Sequence, residues 1–259
     1  MAGCETADLG IKLELDGPIA SLYFDRAFRR NAVSLAMWQQ IPLLLDQAEQ
    51  QADVRLLIVK SAEGGSFSAG ADIGEMVANK DDAAWRAANQ SAINAAQHRL
   101  SRFDLTTLAF VEGDGIGGGC AIALACDIRV ATPNARFGIT PAKLGLVYPF
   151  HDIKLLVDLV GPGQAKRLLF SGEFINAVEA RDIGLVEIIA SAPEALERGI
   201  SQVSANSNRV MKQMIRQILD GQAGDDAATL RMFAAAFEGA DFAEGTAAFV
   251  EKRRPQFAR

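Results

Sequence analysis

One nine-residue run constrains this chain more than any other. It is Glu112-Gly113-Asp114-Gly115-Ile116-Gly117-Gly118-Gly119-Cys120, set between the apolar segment 107–111 and the small-residue segment 120–125. This order reads as strand, tight turn and helix start. Glycine lets backbone approach a ligand closely, and a helix N-terminus presents unpaired N–H groups with a dipole that favours negative charge. A second loop of the same character is Phe67-Ser68-Ala69-Gly70-Ala71-Asp72-Ile73. Two such loops can aim two N–H groups at one developing oxyanion. Two ordinary tight turns account for the spacing equally well.

Around the loops the pattern alternates. Residues 11–15 alternate apolar and polar, Asp16-Gly17-Pro18 is a turn signal, and 19–24 is apolar again, which predicts a hairpin. Ser34 is placed to cap a helix carrying Trp38, Ile41, Leu44 and Leu45, with Pro42 as an expected kink. Residues 55–60 (RLLIVK) and 128–131 read as strands, and 82–100 as an alanine-rich helix. After Gly161-Pro162-Gly163 come short helices at 164–170 and 177–183 and a last strand at 185–189. From Glu194 onward the apolar spacings are helical, as in Val210, Met214 and Ile218. The expectation is an α/β unit over 1–195 and a helical unit over 196–259.

Composition excludes several functions. The net charge of −6 argues against a general nucleic-acid or anionic-membrane binder. Cys4, Cys120 and Cys126 form no Cys-x-x-Cys, and His98 and His151 are the only histidines, so no metal site is expected. The first ten residues lack a signal-peptide pattern, and no apolar run is long enough for a membrane span, so a cytoplasmic protein is expected. Gly113, Gly115 and Gly118 also satisfy G-x-G-x-x-G. A dinucleotide fold wants an acid closing the next strand, about 20 residues on, but Asp127 precedes that strand. That reading is weak.

The two loops together with Ala135-Arg136-Phe137-Gly138-Ile139-Thr140-Pro141-Ala142-Lys143-Leu144-Gly145-Leu146 resemble the enoyl-CoA hydratase/isomerase (crotonase) superfamily. The resemblance runs from Phe24-Asp25-Arg26 and Arg30-Asn31-Ala32 to the segment 244–253. It implies a crotonase (ClpP/crotonase-like) ββα superhelix whose C-terminal helices build a trimer or dimer of trimers. It also implies a coenzyme A thioester substrate and no cofactor beyond that CoA moiety. By the resemblance, the backbone N–H groups of Ala71 and Gly118 form the oxyanion hole. Ala69, Asp72 and Ile73 match the loop lining the adenine and pantetheine pocket. Arg26, Arg30 and Lys252 match positions near the coenzyme phosphates, with a solvated face as the plain alternative for each.

The family's hydratases use two glutamates, and here those positions hold Ala121 and Pro141. General acid–base help is worth about 10²–10⁴-fold per group, so ordinary hydration is expected to be poor. The segment from Thr140 to Tyr148 resembles methylmalonyl-CoA decarboxylases, in which a tyrosine at the place of Tyr148 orients the substrate carboxylate. Ala121 and Ala71 depart from that pattern, since the relative has glutamate and histidine there. Decarboxylation of a malonyl-type thioester is therefore one expectation. Isomerisation or hydration through Tyr148, His151 or Asp114 is another, and a non-catalytic acyl-CoA-binding protein is a third. Asp152 reads as an N-cap and Cys120 as a buried small hydrophobe.

Overall fold

RLLIVK is apolar on both faces because it becomes an inner strand of a sheet covered on both sides. The computed structural model describes residues 9–257; Cys4 and the rest of the extreme N-terminus lie outside them. The chain begins with the expected hairpin of β1 (Ile11–Asp16) and β2 (Ile19–Phe24), turned at Gly17-Pro18. Helix α1 (Leu35–Glu49) follows, its first turn capped by Ser34, whose side chain accepts from the Met37 N–H. Such a cap is worth about 1 kcal/mol. Pro42 lies inside α1 without ending it.

Next come β3 (Leu56–Ser61), α2 (Ile73–Ala78), α3 (Ala83–Ser101), β4 (Thr106–Val111), β5 (Asp114–Ile116) and α4 (Gly118–Ala125). The chain continues through β6 (Ile128–Ala131), β7 (Arg136–Gly138), α5 (Phe150–Ser171), β8 (Phe174–Asn176), α6 (Ala177–Asp182) and β9 (Ile188–Ile189). It closes with α7 (Glu194–Ser201), α8 (Ala205–Leu219), α9 (Ala227–Glu238) and α10 (Ala240–Glu251). Within α5 the backbone breaks at Gly161, the place where the sequence divides two helices.

Strand order in the main sheet is β1-β2-β3-β4-β6-β9, parallel throughout except for the β1–β2 edge pair. Because side chains alternate across a strand, Leu57, Val59, Ala109 and Val111 enter the large core against the early helices. Leu56, Ile58, Leu108 and Phe110 enter a smaller core that α7 covers with Leu196 and Ile200. A second sheet, β5-β7-β8, was not expected from the sequence. Its strands are three residues each, too short for an alternation to register. Among the described residues no helix is long and apolar enough to cross a membrane.

Candidate active site

The loop 67–72 is sewn to two neighbours through its backbone. On one side the Ser68 N–H donates to Asp114 O and the Ile116 N–H to Ser68 O, both at 2.9 Å. On the other, the Val33 N–H donates to Gly70 O at 2.7 Å and the Asp72 N–H to Val33 O at 3.1 Å. In extended backbone, successive N–H groups point to opposite sides. Since Gly70 O and Asp72 N both serve Val33, the Ala71 N–H points away from Val33, toward the glycine run. It donates to no acceptor among the described residues.

Gly118 opens α4, so its N–H is one of the helix's first unpaired donors, with the helix dipole behind it. Two glycines bring the partners together. Gly70, at φ +92°, passes so close that a methyl there would stand 2.6 Å from Ile116 O and 3.0 Å from the Gly118 nitrogen. Gly117 holds φ +53° and ψ −116°, a conformation that turns the chain into the helix and that side chains resist. A methyl on Gly118 would lie 3.5 Å from the Ala71 nitrogen and 3.2 Å from Cζ2 of the buried Trp38. The two expected donors therefore share one small space floored by Trp38, a residue the sequence reading placed only in a helix core.

Helix α4 can sit directly behind this space because its side chains are small. Ala121 is buried in the core, and Pro141 starts a short 3₁₀ turn, so neither glutamate position offers a proton. Burial pushes the Cys120 thiol up to about 12, which leaves it inert. Tyr148 is buried beside this space, and its hydroxyl donates to the Gly117 carbonyl at 3.0 Å. Burial raises its pKa well above the ordinary value, so the proton stays on. The carboxylate-orienting donation expected of Tyr148 would require that bond to open.

The charged candidates are held in pairs. Arg26 bonds Asp72 Oδ2 at 2.7 Å and Ala32 O at 3.0 Å, while Asp72 caps α2 by accepting from the Glu75 N–H. Burial raises the Asp72 carboxyl, but Arg26 and that N–H outweigh it and hold the pKa low. Asp114, expected as a pocket base, is instead an anchor: Arg136 grips both its oxygens and Arg30 pairs with Oδ2. Those bonds occupy the carboxylate's oxygens and fix it to β7 and to the segment before Asn31. Arg30 keeps 62% of its side chain in solvent, and Ala69 and Ile73 flank the same loop. Lys252 terminates α10 in a left-handed conformation; α10 packs on α9, and no described contact joins Lys252 to the loop.

His151 also differs from expectation. Its Nε2 lies 3.2 Å from Ser101 Oγ and its ring 5.9 Å from that of His98, on the seam between α3 and α5. Burial, then His98 and Arg216, lower its pKa. No contact joins it to the paired N–H groups. Asp152 is not an N-cap, since α5 starts at Phe150 and Pro149 precedes it. It is a buried first-turn carboxyl whose Oδ1 has no hydrogen-bond partner, and burial pushes it up to about 7. A cap at that position would be solvated; only the packing of α4 and α5 reveals the difference. A cavity of about 1050 Å³ lies elsewhere, between α8 and the body of the fold near Arg102, Leu159 and Lys212.

Comparison with known proteins identifies the family. The sequence model of the family Enoyl-CoA hydratase/isomerase matches residues 14–259. A crotonyl-CoA hydratase of Syntrophomonas wolfei is 32% identical over 259 residues, covering 95% of this chain and 97% of its own. A short-chain-enoyl-CoA hydratase of Clostridium acetobutylicum is 31% identical, covering 93% and 95%. The crystal structure of a Hyphomonas neptunium protein bearing the enoyl-CoA hydratase/isomerase family name superposes with a TM-score of 0.91 at 36% identity, covering 96% and 98%. The chain belongs to the enoyl-CoA hydratase/isomerase family and has the crotonase fold.

Proposed function

We propose that the Ala71 and Gly118 N–H groups hold the thioester oxygen of an acyl-CoA and stabilise its enolate, and that the reaction is decarboxylation of a malonyl-type acyl-CoA. The observation that carries this is the pairing of two unspent backbone donors with the absence of a carboxyl group at 121 and 141. Preorganised N–H donors act where charge develops, and each is typically worth about 10²–10³ in turnover. Loss of CO₂ needs no base. The bond from the α-carbon to the carboxylate breaks, and its electron pair forms the enolate. The negative charge settles on the thioester oxygen, and a solvent proton then restores the α-carbon. Two carboxylates of these loops, Asp72 and Asp114, are paired with arginines and so repel a substrate carboxylate less.

The coenzyme's phosphates fit the exposed guanidinium of Arg30 and the neighbouring Arg26, with Lys252 reaching them from this or another copy of the chain. Exposed aromatic side chains on α9 and α10, among them Phe233, Phe237 and Phe249, support assembly into trimers. No cofactor beyond the CoA moiety is needed for this reaction. A second reading, hydration, is favoured by the names of the relatives, and Asp152 would then be the carboxyl with a proton to move near neutral pH.

Mass-spectrometric turnover of crotonyl-, malonyl-, methylmalonyl- and ethylmalonyl-CoA separates these readings. Loss of CO₂ from a malonyl-type thioester is the expected result. Rapid hydration of crotonyl-CoA sinks the argument from Ala121 and Pro141. Binding of the thioesters, seen as a raised melting temperature, with no turnover of any, leaves an acyl-CoA-binding protein.

A further inference from the structure

Tyr148 donates to the carbonyl of one of the two peptide groups whose N–H faces the oxyanion space. The Gly117 carbonyl and the Gly118 N–H belong to the same planar amide. The hydroxyl lies 3.0 Å from Gly117 O, and the same oxygen accepts the Ala121 N–H at 3.0 Å as the first bond of α4. On the other side the Gly117 N–H is fixed to Gly138 O at 2.8 Å. Gly117 stands at φ +53° and ψ −116°, where glycine has no side chain to fix the plane of the following amide. The rotation that sets the direction of the Gly118 N–H is therefore held from outside the glycine, by bonds to its carbonyl. One comes from the helix itself. The other comes from Tyr148, whose ring is buried and whose backbone is restricted by the following Pro149.

Hydrogen bonds in series polarise one another. A donor on the carbonyl end of an amide draws electron density from its nitrogen and makes the N–H a stronger donor, by about 10–30% per bond. We infer that Tyr148 is a positioning residue for the oxyanion hole, acting through the Gly117–Gly118 amide rather than on the substrate's carboxylate. This inference rests on the proposal that Ala71 and Gly118 hold the thioester oxygen. It assigns Tyr148 a task independent of the acyl group, so it holds equally for decarboxylation, isomerisation or hydration.

The test reads the hole directly, without turnover. Butyryl-CoA labelled with ¹³C at the thioester carbonyl has neither a β-carboxylate to lose nor a double bond to hydrate. Isotope-edited infrared spectra of the bound molecule give the carbonyl stretch, which falls as the hydrogen bonds to its oxygen strengthen. Wild-type protein is expected to lower that frequency relative to free butyryl-CoA. Tyr148→Phe, which removes the hydroxyl and keeps the ring, should lose about a tenth to a third of the displacement, in proportion to one polarising bond. Replacing Tyr148 by 3-fluorotyrosine in a Tyr23→Phe background makes the phenol a stronger donor and should enlarge it, which serves if the phenylalanine variant fails to fold. Equal displacement in wild type and variants overturns the inference while leaving the hole intact. No displacement in the wild type overturns the hole and the inference together.

Discussion

Two buried aspartates lie in the same half of the molecule and are treated in opposite ways. Asp114, on β5, is ringed by cations: Arg136 takes both oxygens and Arg30 one. Asp152, in the first turn of α5, has no ion pair among the described residues, and one of its oxygens has no hydrogen-bond partner at all. Removing a carboxylate from water is unfavourable unless partners replace the lost solvation. At Asp114 they do, and the side chain serves as a pin for the glycine loop. At Asp152 they do not, and burial pushes its carboxyl up to about 7, so it holds its proton below that pH. Asp72 and Asp114, in the loops that carry the proposed chemistry, are thus spent on architecture, while the titratable reserve sits on the adjoining helix.

The largest effect should come from releasing that reserve. The folded pKa of Asp152 lies above its ordinary 3.8, so its contribution to stability is complete below about pH 4 and lost as pH rises through about 7. The full span corresponds to roughly 4 kcal/mol as an upper bound, before relaxation and water entry reduce it. Asp152→Asn keeps the shape and cannot ionise. It should be the more stable protein at pH 8 and lose that advantage by pH 4.5, as read from urea unfolding midpoints at both values. Parallel pH profiles for the two proteins would break the contrast with Asp114. Next in size is Ala71→Pro, which retains Cβ and removes an N–H that has no acceptor to lose. Turnover of the active thioester should fall about 10²–10³-fold, with the melting temperature reporting whether the loop survives. Full activity would show that the hole does not use Ala71.

Much of the fold was legible in the sequence, this contrast was not, and what was missed follows a physical rule. The hairpin, the Ser34 cap and the buried RLLIVK strand are local, set by turn residues, a cap and apolar runs within about ten positions. The juxtaposition of Ala71 and Gly118 came from motif resemblance; spacing alone left two tight turns as an equal alternative. The strands β5, β7 and β8 escaped because they are short and pair across long separations, as Phe137 with Ile175. The fates of Asp114, Asp152 and His151 escaped for the same reason. Asp114 and Arg136 are 22 positions apart, and His151 and Ser101 are 50 apart. A single-sequence pattern gives a side chain's type and the face it occupies, not the distant partner that decides whether it is a base, an anchor or a stored acid.

Asp114→Asn tests the other arm of the comparison with a smaller expected change. Arg30 and Arg136 keep 62% and 56% of their side chains in solvent, so both stay hydrated when the carboxylate's charge is removed. Solvent screening limits the loss to about 1 kcal/mol at pH 7, visible as a modest drop in the urea midpoint. A loss of several kcal/mol would mean that the pair is effectively buried and that Asp114 resembles Asp152 more than its exposed partners imply.

The smallest change is expected at His151, and it is informative for that reason. His151 neighbours Asp152 in sequence, yet its ring turns to Ser101 and His98 on the α3–α5 seam, where burial and nearby cations favour the neutral form. A neutral imidazole in that position shares a hydrogen bond with Ser101 but has no described contact with the Ala71 and Gly118 donors. His151→Gln, which preserves a hydrogen-bonding group toward Ser101, should change turnover by less than about twofold and stability by a fraction of a kcal/mol, the scale of a half-buried substitution whose hydrogen bond is kept. A tenfold loss of turnover with unchanged stability would place the proton supply on the first turn of α5, joining His151 and Asp152 in one acid–base unit. The division between an architectural loop and a reactive helix would then be drawn at Tyr148 instead.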